Sequence, residues 1–402
     1  MQNPRSHHAL LLATSLIFYA WATHWLGISF NRTYFWSTPD AQTYKSTMDW
    51  WLHDRFTTAF QTRPWGYGAF LAMAFSLGEE QACGLFQLAF WLGTLQLIFW
   101  AVRSATSNLK AAWVCALLMM LNLTFVVLTA HGLTEVLTTF LVAVGTAWTL
   151  RSTAVIQQPV FWPVLLLIVC MLTLLRPVFE PLMWVCALFA LRAAWPLSRG
   201  WMAVLCIGLC ALAIGYQMHL VEAQTGRYKI SFIGERTFGW FLVPQTYMHV
   251  NTIPLQAASQ AVQDWNREQQ ILFLLQHPFT TLSCYYDNVL ESIKGLANLL
   301  YTNKPFSRSW MSFLNGFMYR LHTFLPFVLL WAWRAGWRWP ERNVRMLWIG
   351  WALIWLYMVA TSGISFWQGD RLLLPLWPLF LVGYGWMAWW WLQRANRRQA
   401  GI

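Results

Sequence analysis

The chain has 402 residues, of which 58% are hydrophobic and 10% charged, with a formal net charge of +12. Soluble domains carry about 25% charged residues, so a chain this long with so few cannot cover itself in water. That excludes a cytosolic globular enzyme, a disordered scaffold and a disulfide-rich secreted module. The 30 Trp, 27 Phe and 13 Tyr favour headgroup boundaries and point to an all-α polytopic membrane protein.

The first apolar run, residues 9–30, meets the requirement of about 20 residues for a crossing. It continues past Ala20-Trp21-Ala22, where a cleavable signal peptide would end, so a retained helix is expected. Residues 31–80 form a first outer loop. Within it, residues 65–78 are apolar but short, lie between Arg63-Pro64 and Gly78-Glu79-Glu80, and are expected to be interfacial or re-entrant. Further spans are expected at 81–102, 111–130, 133–150, 160–176, 177–195 and 201–220. A second large outer loop, 221–312, precedes spans at 313–333, 346–362 and 371–393, giving about ten transmembrane helices. Loops of this length are usually functional or disordered, and their Trp and Phe content favours short interfacial helices. The whole of 1–402 reads as one integral-membrane domain without a separate soluble domain.

Charge fixes the expected direction. With the N-terminus inside, Arg5, Arg103, Lys110, Arg151, Arg192, Arg199, Arg334, Arg338, Arg342, Arg345, Arg394, Arg397 and Arg398 fall on cytoplasmic linkers, as the positive-inside rule requires. Glu341 is the one acid among them, so carboxylate chemistry is expected on the outer side alone. Both termini are then cytoplasmic. The net positive charge is a topology signal, and no nucleic-acid partner is expected. Five Lys against 22 Arg, without a retention tail, suits a bacterial inner (plasma) membrane with its working face in the periplasm. Cys115, Cys170, Cys186, Cys206 and Cys210 lie in apolar runs and read as small hydrophobes; no C-x-x-C spacing supports a thiolate metal site.

Asp40 follows Pro39 just beyond the first span, with Tyr44 one turn later. The plain reading is a helix N-cap; the functional one is a general base at the mouth of a cavity, taking a proton from an acceptor hydroxyl. Asp49 and His53, also one turn apart, suit an exposed face of a surface helix as well as a proton relay, and two ligands do not make a metal site. Ionisable groups within spans cost about 2.5–3.5 kcal/mol even on the most forgiving scale, so His131 and Glu135 stand out. They are expected one helical turn apart on a shared face, with pairing of Glu135 to an Arg as the plainer alternative. Arg176-Pro177 and Glu180-Pro181 mark a break between paired spans. Asp370-Arg371 opens the last span, where Arg371 either snorkels or, with Arg63 or Arg176, cradles a lipid-linked phosphate.

Asp40-Ala41-x-x-Tyr44, Arg63-Pro64-Trp65-Gly66-Tyr67, Arg176-Pro177, His277-Pro278 and Asp370-Arg371 with Leu374-Pro375 together resemble the motifs of the GT-C glycosyltransferases. These are the polytopic enzymes that use polyprenyl-phosphate sugars, such as the protein mannosyltransferase and lipid A aminoarabinose transferase families. The resemblance implies a GT-C-like helical topology, a polyprenyl-phosphate sugar donor and inversion at the anomeric carbon. It implies Asp40 as base and Arg371, with Arg63 and Arg176, as donor-phosphate ligands; Tyr44, Tyr67, His131, Glu135 and Asp370 are further site candidates. The chain departs from the pattern in having Ala41 where many relatives carry a second acid, and it has no D-x-D pair, so no metal is assigned. The acceptor, a lipid, glycan or protein hydroxyl, is left to the 221–312 loop. That loop mixes aromatic and basic residues and reads equally as a membrane-resting lid. The rival functions are a transporter or flippase using His131, Glu135 and Arg176 as a relay, and a glycan polymerase or ligase.

Overall fold

The computed structural model describes residues 4–151, 160–194, 200–294, 313–314, 316–318, 342–365, 369–386 and 389, and among these every regular element is helical. Helix α1 (Pro4–Leu26) stops at Gly27, which takes a left-handed φ of 66°, so the first helix starts before the expected 9 and ends four residues before the expected 30. Two helices then lie in the first loop, α2 (Arg32–Phe35) and α3 (Pro39–His53). The Thr38 hydroxyl accepts from the Ala41 N–H at 3.1 Å, so Thr38, and not Asp40, caps α3.

Helix α4 (Trp65–Thr106) consists of two helical arms joined by a reversal at Gly78-Glu79, where Glu79 takes φ 54°. Leu71 O lies 3.9 Å from Cys83 Sγ, and the Phe70 ring packs on Phe86 and Phe90, contacts possible only in a hairpin. At its two ends Arg63 pairs with Asp40 and Glu80 accepts from Trp36 Nε1 at 2.9 Å. Residues 65–78 thus form the first arm of a helical hairpin. Gly68 allows this arm to lie against α3, since a Cβ there would come within 2.5 Å of Thr47 Oγ1.

The expected span 111–130 is broken. Helix α5 (Leu109–Met120) ends before Asn122, whose side chain accepts from the Phe125 N–H and starts α6 (Leu123–Leu128). An N-cap inside an apolar run outweighs the hydropathy that suggested one helix. Helix α7 (Glu135–Arg151) begins four residues after His131, which is itself outside any helix, so these two residues do not share a helical face. Helices α8 (Phe161–Leu175), α9 (Glu180–Ala194) and α10 (Trp201–Thr225) follow; Arg176 and the Pro177–Phe179 turn join the first two.

The second loop starts only after Gly226, later than the expected 221, and carries α11 (Ile233–Thr237), a π-turn (Phe238–Leu242), α12 (Val243–Asn251), α13 (Leu255–Val262), α14 (Arg267–Gln276) and α15 (Pro278–Lys294). Helix α16 (Arg342–Ser362) follows. Instead of a helix beginning at 371, two 3-10 turns (Gly369–Leu372 and Leu374–Leu376) precede the helical residues 377–386, because Pro375 and Pro378 remove backbone donors there. Most of the expected span 313–333 lies outside the described residues.

Among the described residues three helices are long and apolar enough to cross a membrane: Ser6–Leu26, Trp65–Thr106 and Trp201–Thr225. In the second of these, residues 80–106 alone suffice, at about 40 Å for a rise of 1.5 Å per residue. Leu109–Met120, Glu135–Leu150, Phe161–Leu175 and Ile349–Ser362 are apolar but shorter, so the described residues do not supply the ten long spans expected. Outward faces are themselves apolar, with Ile17, Leu188 and Leu212 each at least two-thirds exposed, a surface suited to lipid and not to water. Inside, one large cluster joins α1, α3 to α7 and residues 373–386, and a smaller one joins α8, α9 and α10. A third lies within the second loop, around Val243 and Val262.

Candidate active site

The two loops are fastened to each other before any catalytic group is placed. Gln217, fully buried on α10, accepts from the Trp65 N–H at 3.0 Å and donates to Phe60 O at 3.1 Å and Ile230 O at 2.8 Å. The Phe232 N–H donates to Gln61 O at 2.6 Å, Ser231 Oγ to Thr62 O at 3.0 Å, and the Arg236 guanidinium to Gln61 Oε1. Gln87 ties the α4 hairpin to the turn before α7 by donating to His131 O at 2.5 Å. Gly132 completes the junction: its N–H donates to Phe35 O at 3.0 Å, and a Cβ there would sit 2.8 Å from the Trp36 ring. These bonds bring the start of α3 against the start of α7.

Asp40 and Glu135 consequently share one guanidinium. Arg371 Nη2 donates to Asp40 Oδ2 at 2.5 Å, and its Nε donates to Glu135 Oε1. Arg63 donates through Nη2 to Asp40 Oδ1 and through Nε to Thr43 Oγ1 at 3.2 Å, with its guanidinium 5.0 Å above the Tyr44 ring. Arg176 Nη2 lies 3.9 Å from Glu135 Oε1. Glu135 is wholly buried and Arg371 nearly so, whereas the Asp40 side chain keeps 29% of its surface exposed. A buried carboxylate is tolerable only with such partners, which is the plainer pairing expected for Glu135.

These groups meet at a cavity of about 460 Å³. Asp40, Tyr44, Arg63, Arg176, Glu180 and Arg371 supply its polar wall; Trp240 and Phe241 of the π-turn and Tyr357 and Met358 of α16 supply much of the rest. Burial alone would raise the Asp40 carboxyl, but the charges of Arg371 and Arg63, with the Arg371 hydrogen bond, outweigh it and hold the group well below the usual carboxylate range. Asp40 is thus ionised at neutral pH. Counting Glu135 beneath the wall, Asp40, Glu135 and Glu180 stand against Arg63, Arg176 and Arg371, three charges of each sign. Any anion entering the cavity would have to draw a guanidinium away from a carboxylate. Arg176 is the most available, because its buried Nη1 has no protein partner among the described residues.

Of the residues singled out in the sequence, Asp40, Tyr44, Arg63, Arg176 and Arg371 line the cavity and Glu135 supports it. Tyr67 is fully buried behind Tyr44, ring against ring at 4.9 Å, and so acts on the site only through its neighbour. His131 is not at the cavity; it stacks on Tyr34 at 4.7 Å, with Nδ1 3.5 Å from Ser37 Oγ. The backbone of Asp370 belongs to the Gly369–Leu372 turn, and its side chain lies outside the described residues. Sequence reasoning passed over Glu180 as a wall group and Gln87 and Gln217 as fasteners. The available signal was a lone amide in an otherwise apolar run. Among the described residues no three His, Cys, Asp or Glu side chains converge as metal ligands would. No protein-family model and no curated protein sequence matches the chain.

Proposed function

We propose that this chain is a membrane glycosyltransferase that moves one sugar from a polyprenyl-phosphate donor to an acceptor hydroxyl, with inversion, on the periplasmic face of a bacterial plasma membrane. The observation that carries the reading is the seat of Asp40: a partly exposed, ionised carboxylate on a cavity wall, between Arg63 and Arg371 and within the same cavity as Arg176. The acceptor oxygen attacks the anomeric carbon while the bond from that carbon to the phosphate oxygen breaks. Asp40 takes the hydroxyl proton, and the departing electron pair stays on a phosphate held by guanidinium groups.

The shared guanidinium couples these events. A depressed proton affinity makes Asp40 a weak base while Arg371 and Arg63 both hold it. A donor phosphate that draws Arg371 or Arg63 toward itself removes that restraint and raises Asp40's affinity for a proton when the acceptor needs it. A relay for transport would use His131 beside Glu135, and the stacking of His131 on Tyr34 gives that rival less support.

Purified protein incubated with sugar-labelled synthetic polyprenyl-phosphate hexoses and pentoses, together with an envelope extract as acceptor, tests the reading through release of free polyprenyl phosphate. Asp40→Asn keeps the shape but removes the base and is expected to slow release by about 10²–10⁴-fold. Release at the wild-type rate from a normally folded variant would refute the base. Labelled lipid that crosses vesicle bilayers chemically unchanged, with no release from any donor, would favour a flippase.

A further inference from the structure

A second and larger hollow, about 870 Å³, opens in the second loop. Five amides line it, Gln61, Gln256, Gln260, Gln263 and Gln270, each able to donate to and accept from a hydroxyl. Three guanidinium groups, Arg227, Arg236 and Arg267, supply its charge, and Glu235 is the one acid in its wall. Glu235 is already neutralised by Lys229. Arg267 and Arg227 are exposed and form no ion pair among the described residues, and Arg267 is held in place by stacking 4.1 Å above the Phe238 ring. The hollow therefore presents uncompensated positive charge beside a dense set of amides.

Trp240 belongs to both hollows. It is 57% exposed on the π-turn Phe238–Leu242, whose neighbours Thr237 and Phe241 face Asp40 while Arg236 and Gly239 face the amides. One short turn thus separates the two hollows, with a flat aromatic surface at the boundary. Amides, guanidinium groups and an indole face together suit a pyranose that also carries negative charge: hydroxyls to the amides, an anionic substituent to the arginines, a sugar face on the ring. A peptide would need pockets for apolar side chains, and the wall offers few apolar residues.

We propose that this hollow is the acceptor site and that the acceptor is an anionic, phosphate-bearing saccharide, which extends a hydroxyl past Trp240 to Asp40. The proposal rests on the glycosyltransferase reading, but its test needs no turnover. The full-length protein in phosphatidylcholine nanodiscs is titrated calorimetrically with trehalose 6-phosphate, with trehalose, with inorganic phosphate and with an acidic Glu/Ser peptide. The phosphorylated disaccharide is expected to bind saturably and at least about tenfold more tightly than any other probe. Arg227→Gln with Arg267→Gln, both exposed, is expected to weaken it about tenfold or more, while Arg371→Gln leaves it unaltered, each compared at a temperature below the melting point of every variant.

Equal affinity for inorganic phosphate would overturn the saccharide, and tighter binding of the peptide would overturn the chemical class. Loss with Arg371→Gln alone, in a variant still folded at the assay temperature, would move the ligand to the Asp40 cavity. Abolition of binding when phosphatidylglycerol replaces phosphatidylcholine would make the hollow a lipid-headgroup surface. Failure of donor turnover leaves every one of these binding results readable, so the two readings fail separately.

Discussion

Glu135→Gln isolates the electrostatic support of the site. The substitution keeps the size of the side chain and an oxygen able to accept from Arg371 Nε, but removes a negative charge from a fully buried position. Arg176 Nη2 is 3.9 Å away. At an effective dielectric of about 20, attraction at that separation is about 4 kcal/mol, and the closer Arg371 contact is worth somewhat more. Side-chain relaxation and water return part of that loss, so the expected destabilisation is about 3 kcal/mol, the low end for breaking a buried ion pair. Reversible SDS unfolding in mixed micelles measures it. Glu180→Gln, on the solvent-accessible cavity wall, is the control and is expected to cost less than about 1 kcal/mol. Pairing Glu135→Gln with Arg176→Gln is expected to recover part of the loss, because one unpartnered charge is removed, and the double-mutant cycle gives the coupling. A Glu135→Gln protein as stable as wild type, or a cycle with no coupling, would show that Arg176 and Arg371 do not depend on Glu135.

The other predictions concern pH and backbone. Because Asp40 is held below the ordinary carboxylate range in the free protein, it stays ionised there as pH falls, and kcat/KM, which reports the free protein, is expected to show no acid limb from Asp40 down to about pH 4. By the same sign, its contribution to stability is fully present above the unfolded carboxylate value and is lost only as pH drops through the lower folded one. Arg63→Gln removes one of the charges responsible, so the acid limb is expected to move upward; a pH–rate profile that stays flat would detach Arg63 from Asp40. Gly68→Ala forces a Cβ against Thr47 and is expected to cost about 1–3 kcal/mol in the same unfolding assay, with a near-neutral result refuting the close packing of α3 on the hairpin. Glu79 holds a left-handed φ that glycine adopts freely, so Glu79→Gly is expected to stabilise the protein by about 1 kcal/mol; a loss of stability would show that the glutamate side chain matters more than the turn.

Much of the site was legible because burying charge in an apolar chain is costly. Asp40, Arg63, Arg176, Glu135 and Arg371 were conspicuous as the ionisable residues nearest or within apolar runs, and their chemistry was readable from residue type alone. Their partners were not: Glu135 meets Arg371 across 236 positions of sequence, a pairing that depends on the packing of the Leu374–Leu376 turn against α7. The same limit explains His131. Four residues from Glu135 means a shared face only if the helix already exists, and the Gly132 N–H is bonded to Phe35 O in a turn outside α7.

Composition determined that the chain is helical, apolar on its outside and equipped with membrane-length helices, since a backbone surrounded by apolar surface has to satisfy its own hydrogen bonds. Short helices in both loops and the chain reversal at Gly78 followed from local signals such as Pro39 and Gly78. Only the tertiary structure decided which guanidinium faces which carboxylate, that Asn122 divides an apolar run, and that Trp240 stands between two hollows. Side chains brought together from distant segments carry no local periodicity, and their distances exist only once the helices have packed.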